Sequence, residues 1–223
     1  MIGQPKRMTV IAPHPDDETL GAGATIARFA SEGVEVSVLI VSGHLPPLYP
    51  QEAFDTTRRE ADAALETLGA IRWDFLQIPA TKVHEAPVAQ VNGRILEFLR
   101  QTNPEVVLLP FPDRHIDHRV IFDASLVACR PVHSKAPRLV LAYETLSETH
   151  WNAPGIEPAF GPEFYIDVSN FMDRKRAALK CYASQIQNSP SRSIEACFAL
   201  AKFRGSQNGC EYAEAFKVIR AVV

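Results

Sequence analysis

The run Val36-Ser37-Val38-Leu39-Ile40-Val41 constrains the fold of this chain more than any other segment. A stretch so nearly continuous in branched apolar side chains reads as a strand covered on both faces, as in a parallel sheet sandwiched by helices. It belongs to a candidate strand at Glu35–Val41. Comparable β-rich runs lie at Met8–Ala12, Trp73–Ile78, Val106–Pro110, Arg138–Tyr143 and Phe164–Val168. Helical periodicity fills the gaps. Thr19–Ser31 turns Leu20, Ala24, Ala27 and Phe29–Ala30 toward a core. Thr56–Leu68 stops on Gly69, and Val88–Gln101 carries Val91, Ile95, Leu96 and Leu99 on one stripe before Asn103-Pro104. The alternation predicts an α/β fold, a Rossmann-like, mainly parallel sheet with helices on both faces, in a single domain over residues 1–223. The last quarter, Met172 to Val223, reads as a mainly helical packing cap with a final helix at Glu211–Ala221.

Composition narrows the partners. The 223 residues are 46% hydrophobic, ample for one large core, and the net charge is −3. Basic residues are spread among acidic ones, which argues against nucleic acid. Cys129, Cys181, Cys197 and Cys210 show no C-x-x-C spacing, so reduced, mostly buried thiols are expected. The N-terminal residues lack the apolar region of a secretory signal, and no apolar run approaches the roughly 20 residues of a membrane helix. A soluble cytoplasmic protein with no membrane insertion is the expectation.

Two motifs carry the chemistry. His14-Pro15-Asp16-Asp17-Glu18 follows the first strand, and His115-Ile116-Asp117-His118 follows the strand Val106–Pro110. Both fall at strand carboxyl ends, where open α/β sheets collect ligands. Imidazoles and carboxylates without cysteine suit a catalytic divalent metal with an open position. The competing reading, that Asp16 or Asp17 only caps a helix, leaves His14 and the run of three acids unexplained. His118 can reach a metal while His115 stays free, and Asp117 can hold a histidine ring in one tautomer. The loops Leu45–Pro50 and His150–Pro162 are candidate walls or lids, and His44 a wall residue. Gly21-Ala22-Gly23 lacks the third glycine of a dinucleotide fingerprint, with Ile26 there instead. Ser42-Gly43-His44 lacks a nucleophile elbow. His84 and His133 have no evident partners.

With these motifs, the chain resembles the LmbE-like (PIG-L) family of zinc-dependent deacetylases of N-acetylated sugars. The likeness continues through Tyr143-Glu144 to Trp151, Lys175–Gln185, Arg192-Ser193, Arg204-Gly205 and Ala213-Glu214-Ala215-Phe216. It implies His14, Asp17 and His118 as zinc ligands, with Fe2+ or Co2+ as possible substitutes. It implies Asp16 as general base, and His115 as acid or oxyanion stabiliser oriented by Asp117. The substrate would be an N-acetylated sugar or glycoconjugate, with Arg58, Arg192 and His150 as candidate contacts. Homo-oligomers are common in the family. Two departures bear on the substrate. Thr57 stands where the family often has arginine, with Arg58 and Arg59 following, and Pro190-Ser191 replaces a histidine often found before Arg192. A metal-dependent phosphoesterase and a non-catalytic carbohydrate-binding protein are the alternatives. The former commonly needs a second metal, for which extra carboxylates are few.

Overall fold

The computed structural model describes residues 5–132, 135–186 and 190–222; His133 lies outside them. The six expected strands and a seventh form one sheet in the order β3-β2-β1-β4-β5-β7-β6. These are β1 (Arg7–Ala12), β2 (Glu35–Gly43), β3 (Arg72–Pro79), β4 (Val106–Pro110), β5 (Leu139–Tyr143), β6 (Phe164–Asp167) and β7 (Ala213–Ala221). The five strands β1 to β5 pair in parallel, with Met8 opposite both Val36 and Val106. Strand β7 runs antiparallel to β5 and β6. The sheet is therefore mixed and mostly parallel.

Helices α1 (Asp17–Ser31), α2 (Gln51–Leu68), α3 (Val88–Thr102), α4 (Ile116–Ala128), α5 (Met172–Cys181) and α6 (Ile194–Ser206) cover both faces. Strand alternation sorts the core into two halves. Val10, Val36, Val38 and Ile40 face α1, α2 and α5 through Ala22, Ile26, Leu65 and Ala178. Ile11, Leu39, Val41 and Val107 face α3 and α4 through Val91, Ile95, Phe98 and Ile121. Helix α2 begins at Gln51, five residues before the periodic stretch, and ends where Gly69 takes φ 86°. That left-handed conformation favours glycine and closes the helix.

The expected final helix at Glu211–Ala221 is wrong: Ala213–Ala221 is a strand. Its first four residues are all buried, because it lies between two other strands and Glu214 has a buried partner. The polar-apolar alternation that marks a half-exposed strand is therefore absent there. The rest of the quarter is helical in α5 and α6. All four cysteines are unpaired, with Cys129 and Cys197 buried. Among the described residues, no helix is long and apolar enough to cross a membrane.

Candidate active site

The strand order reverses between β1 and β4, and there the two motifs meet across the carboxyl edge of the sheet. His14 and Asp17 come from the turn between β1 and α1. His115 and His118 come from the turn between β4 and α4. Asp17 Oδ2 lies 3.1 Å from His14 Nδ1 and 3.2 Å from His118 Nε2. The far nitrogen of each ring is held by another carboxylate. His14 Nε2 is 2.9 Å from Asp117 Oδ2, and His118 Nδ1 is 3.0 Å from Asp113 Oδ2. Ring-orienting carboxylates of this kind accompany metal-ligating histidines. His118 Nε2 is buried and has no hydrogen-bond partner, although a carboxylate oxygen is close. An orphaned nitrogen converging with a second imidazole and a carboxylate fits a borderline divalent cation. His14, His115 and His118 each offer a nitrogen within 4.8 Å of the others, so this group could bind a metal.

The electrostatics describe the same place. Burial alone would lower the His14 pKa, but hydrogen bonds to Asp117 and Asp17 outweigh it and raise it to about 9. Burial likewise opposes protonation of His118, yet the Asp17 charge and the Asp113 bond raise it to about 10. The anionic cluster thus draws two protons into the space a cation would occupy. His115 responds oppositely: burial and the charges of His14 and His118 push it down to about 4. Its Nδ1 accepts a hydrogen bond from the Asp117 backbone at 3.2 Å. The neutral ring therefore carries its proton on Nε2.

Asp16 sits at φ 112°, ψ −28°, a left-handed conformation unusual for aspartate, and is 2% exposed. Its backbone N–H donates to Glu18 Oε2 at 3.2 Å, and Glu18 Oε1 accepts from Tyr182 Oη and Thr19 Oγ1, both at 2.6 Å. Burial raises the Asp16 pKa well above the ordinary carboxylate range, with Arg192 opposing and Asp17 and Glu18 reinforcing. Strain and an uncomfortable charge in one residue mark a functional position.

These groups line a cavity of about 220 Å3. His44, Tyr49, Ala80 and Thr81 form one wall, from the ends of β2 and β3, while Glu148, Gln185 and Arg192 form another. The expected wall residue His44 and the loop ending at Pro50 are both there. Arg192 reaches Asp16 Oδ2 at 3.5 Å and Glu148 Oε1 at 3.4 Å. Two candidate contacts lie elsewhere. Arg58 is exposed and stacks over Phe75, 5.4 Å from the ring centroid, while Thr57 is buried. His150 turns to Glu144 Oε2 at 3.1 Å, away from the cavity lining.

The Asp117 carboxylate holds His14, from the other motif, while its backbone N–H holds the His115 ring at Nδ1. Sequence reasoning missed Asp113, which holds His118, accepts from the His115 backbone at 3.0 Å and takes the Thr149 hydroxyl at 2.9 Å. Its only signal was the alternation Asp113, His115, Asp117. Thr81, whose backbone N–H meets Asp117 Oδ2 at 2.7 Å, had none.

The fold and this site define a member of the PIG-L family, described as GlcNAc-PI de-N-acetylase, which residues 9–129 match. That is more than half of the chain, and the chain belongs to this family. Diacetylchitobiose deacetylase of Thermococcus kodakarensis is 24% identical over 97% of this chain and 84% of its own. The 1D-myo-inositol 2-acetamido-2-deoxy-alpha-D-glucopyranoside deacetylase of Gordonia bronchialis is 26% identical, covering 82% and 86%. Among solved structures, N,N'-diacetylchitobiose deacetylase from Pyrococcus horikoshii superposes with a TM-score of 0.77 at 22% identity, over 96% of this chain and 84% of that one. The 4-carboxy-2-hydroxymuconate hydratase of Pseudomonas putida gives 0.76 at 22%, covering 98% of both. The fold therefore does not by itself fix the reaction.

Proposed function

We propose that this chain is a metal-dependent hydrolase that removes the N-acetyl group from an amino sugar or its conjugate and releases acetate. The observation that carries the reading is the meeting of His14 Nδ1, Asp17 Oδ2 and His118 Nε2 beside the strained carboxylate of Asp16. Relatives described as deacetylases of N-acetylated sugars, aligned over most of the chain, supply the substrate class.

His14, Asp17 and His118 would hold the cation, zinc being the best match to two imidazoles and one carboxylate. When bound there, it supplies a Lewis acid and a lowered pKa for water. Asp16 acts as the base that takes a proton from the attacking water. A carboxyl displaced upward by burial is well suited to that task near neutral pH. The Nε2–H of His115 donates to the acetamide oxygen as negative charge develops on it. This favours the oxyanion role for His115, since the bond from the Asp117 backbone occupies Nδ1 and leaves Nε2–H as the donor. The reprotonated carboxyl of Asp16 then returns a proton to the departing amine.

The test is acetate release by zinc-loaded protein from N-acetylglucosamine, N,N'-diacetylchitobiose, nucleotide-linked N-acetyl sugars and simple glycosides. Asp16→Asn should retain one metal per chain and lose about 10²–10⁴-fold in turnover. Undiminished turnover in that variant removes Asp16 from the chemistry. No acetate from any acetamido sugar overturns the reaction.

A further inference from the structure

Two carboxylates face the cavity from either side of Arg192, and the reaction uses only one. The second is Glu148. Its side chain is 15% exposed, and the Arg192 contact at 3.4 Å is the side-chain hydrogen bond recorded for it among the described residues. That separation exceeds the ordinary range for such bonds. An ionised carboxylate has about four acceptor sites, so Glu148 is under-satisfied. The fully buried glutamates Glu214 and Glu144, in contrast, are well paired. Glu214 accepts from Ala24 N, Thr25 N and Lys175 Nζ. Glu144 accepts two bonds from Arg204, at 2.7 and 2.8 Å. A half-buried carboxylate that lines the cavity with one long contact has acceptor sites free for a ligand.

The position of Glu148 is fixed from both sides. Strand β5 ends at Tyr143, and the following turn closes with Thr149 Oγ1 accepting from Thr145 N at 2.8 Å. The same hydroxyl donates to Asp113 Oδ2 at 2.9 Å, which joins the turn to the carboxylate that orients His118. The turn therefore carries Glu148 in register with the reacting centre, with Arg192 between it and Asp16.

From this we infer that Glu148 is a specificity-determining residue that accepts hydrogen bonds from the free ring hydroxyls of the amino sugar. The inference rests on the deacetylase reading. A carboxylate only accepts, so it selects donors. A sugar bearing phosphate, carboxylate or an ester at that edge would set acceptor against acceptor and be rejected. The cavity, about 220 Å3, is smaller than the roughly 300–1,000 Å3 that encloses drug-sized ligands. It takes one ring, and Glu148 reads that ring.

The test is a double comparison on the zinc-loaded enzyme: wild type, Glu148→Gln and Glu148→Ala against N-acetylglucosamine and its 3-, 4- and 6-deoxy analogues. Metal content and Tm are measured for each variant. A hydrogen bond to a charged group corresponds to roughly 10- to 150-fold. In the wild type one deoxy analogue should lose at least tenfold in kcat/KM, mainly through KM. In Glu148→Ala the parent sugar should fall to the level of that analogue, and the difference between them should collapse to within about threefold. Glu148→Gln should keep part of the discrimination. A deoxy effect that persists undiminished in Glu148→Ala overturns the inference, as does an equal loss on every sugar carried by kcat. No turnover of any acetamido sugar by the wild type overturns the deacetylase reading and this one with it. Turnover with unchanged ratios overturns this one alone.

Discussion

Asp113 shows how much a site owes to a residue outside its motifs. One oxygen accepts from the His115 backbone, and the other takes His118 Nδ1 and the Thr149 hydroxyl. It is 1% exposed, so none of these bonds competes with water. Asparagine would keep the shape but present an NH2 where either the His115 N–H, or the His118 ring and the Thr149 hydroxyl, need an acceptor. Asp113→Asn should therefore weaken zinc binding by about 10–100-fold while leaving the fold intact. Competition with a chromogenic chelator measures this. Unchanged affinity would mean that His118 keeps its tautomer unaided. Sequence could not separate Asp113 from Asp117, because which carboxylate serves which ring is decided by two turns from distant strands. Reading along the chain pairs Asp117 with His115, its neighbour. The fold pairs it with His14, 103 residues away.

At the scale of elements, the site stands on the first turn of α1, so whatever seats that helix places the ligands. Gly21 and Gly23, a failed nucleotide fingerprint in sequence, are packing residues. A Cβ on Gly21 would lie 2.2 Å from a Tyr143 ring carbon and 2.8 Å from the Glu144 carbonyl oxygen. Gly21→Ala should destabilise by about 1–3 kcal/mol through overpacking and reduce turnover together with stability. Chemical denaturation beside a kinetic assay tests it, and wild-type stability would show that α1 can shift freely. The helix is also pinned by a buried ion pair. Lys175 Nζ donates to Leu20 O and to Glu214, which in turn accepts from Ala24 N and Thr25 N. Lys175→Met leaves the Glu214 charge buried and uncompensated, a loss of about 3–5 kcal/mol. A small change in denaturation midpoint would refute that role. This pair also explains where sequence reading failed. Strands β1, β2 and β4 were legible as largely apolar runs, and β3 because Trp73, Phe75 and Ile78 are spaced between polar residues. Strand β7 was not, since a glutamate is buried in line with three apolar residues, and its partners, Lys175 and the Ala24 and Thr25 amides, lie on distant helices.

For the molecule as a whole, the cluster at the switch between β1 and β4 ties stability to both pH and metal. In the metal-free protein, His118 is raised to about 10 and His14 to about 9 from an ordinary 6.5. Groups raised on folding contribute stability that is complete below about 6.5 and lost as pH climbs through their folded values. Asp16 and Glu18, raised by burial, act in the same sense, because the folded state holds their protons more tightly than the unfolded chain does. Asp17 acts oppositely. The two histidines hold it low against the penalty of burial, so its contribution is lost as pH falls below the ordinary carboxylate range. His115, held at about 4 against an ordinary 6.5, also loses its contribution as pH falls from about 6.5 to 4. Chelator-stripped protein should therefore have its highest Tm at about pH 6, falling steadily toward pH 10. A divalent cation inverts the upper half of that curve. It competes with the protons on His14 and His118, so its affinity, and the stabilisation it confers, grow as pH rises. Thermal melts from pH 4 to 10, with and without zinc, should give curves that diverge above about pH 6.5 and converge below it. Parallel curves across the range would mean that the cation and the protons occupy different places.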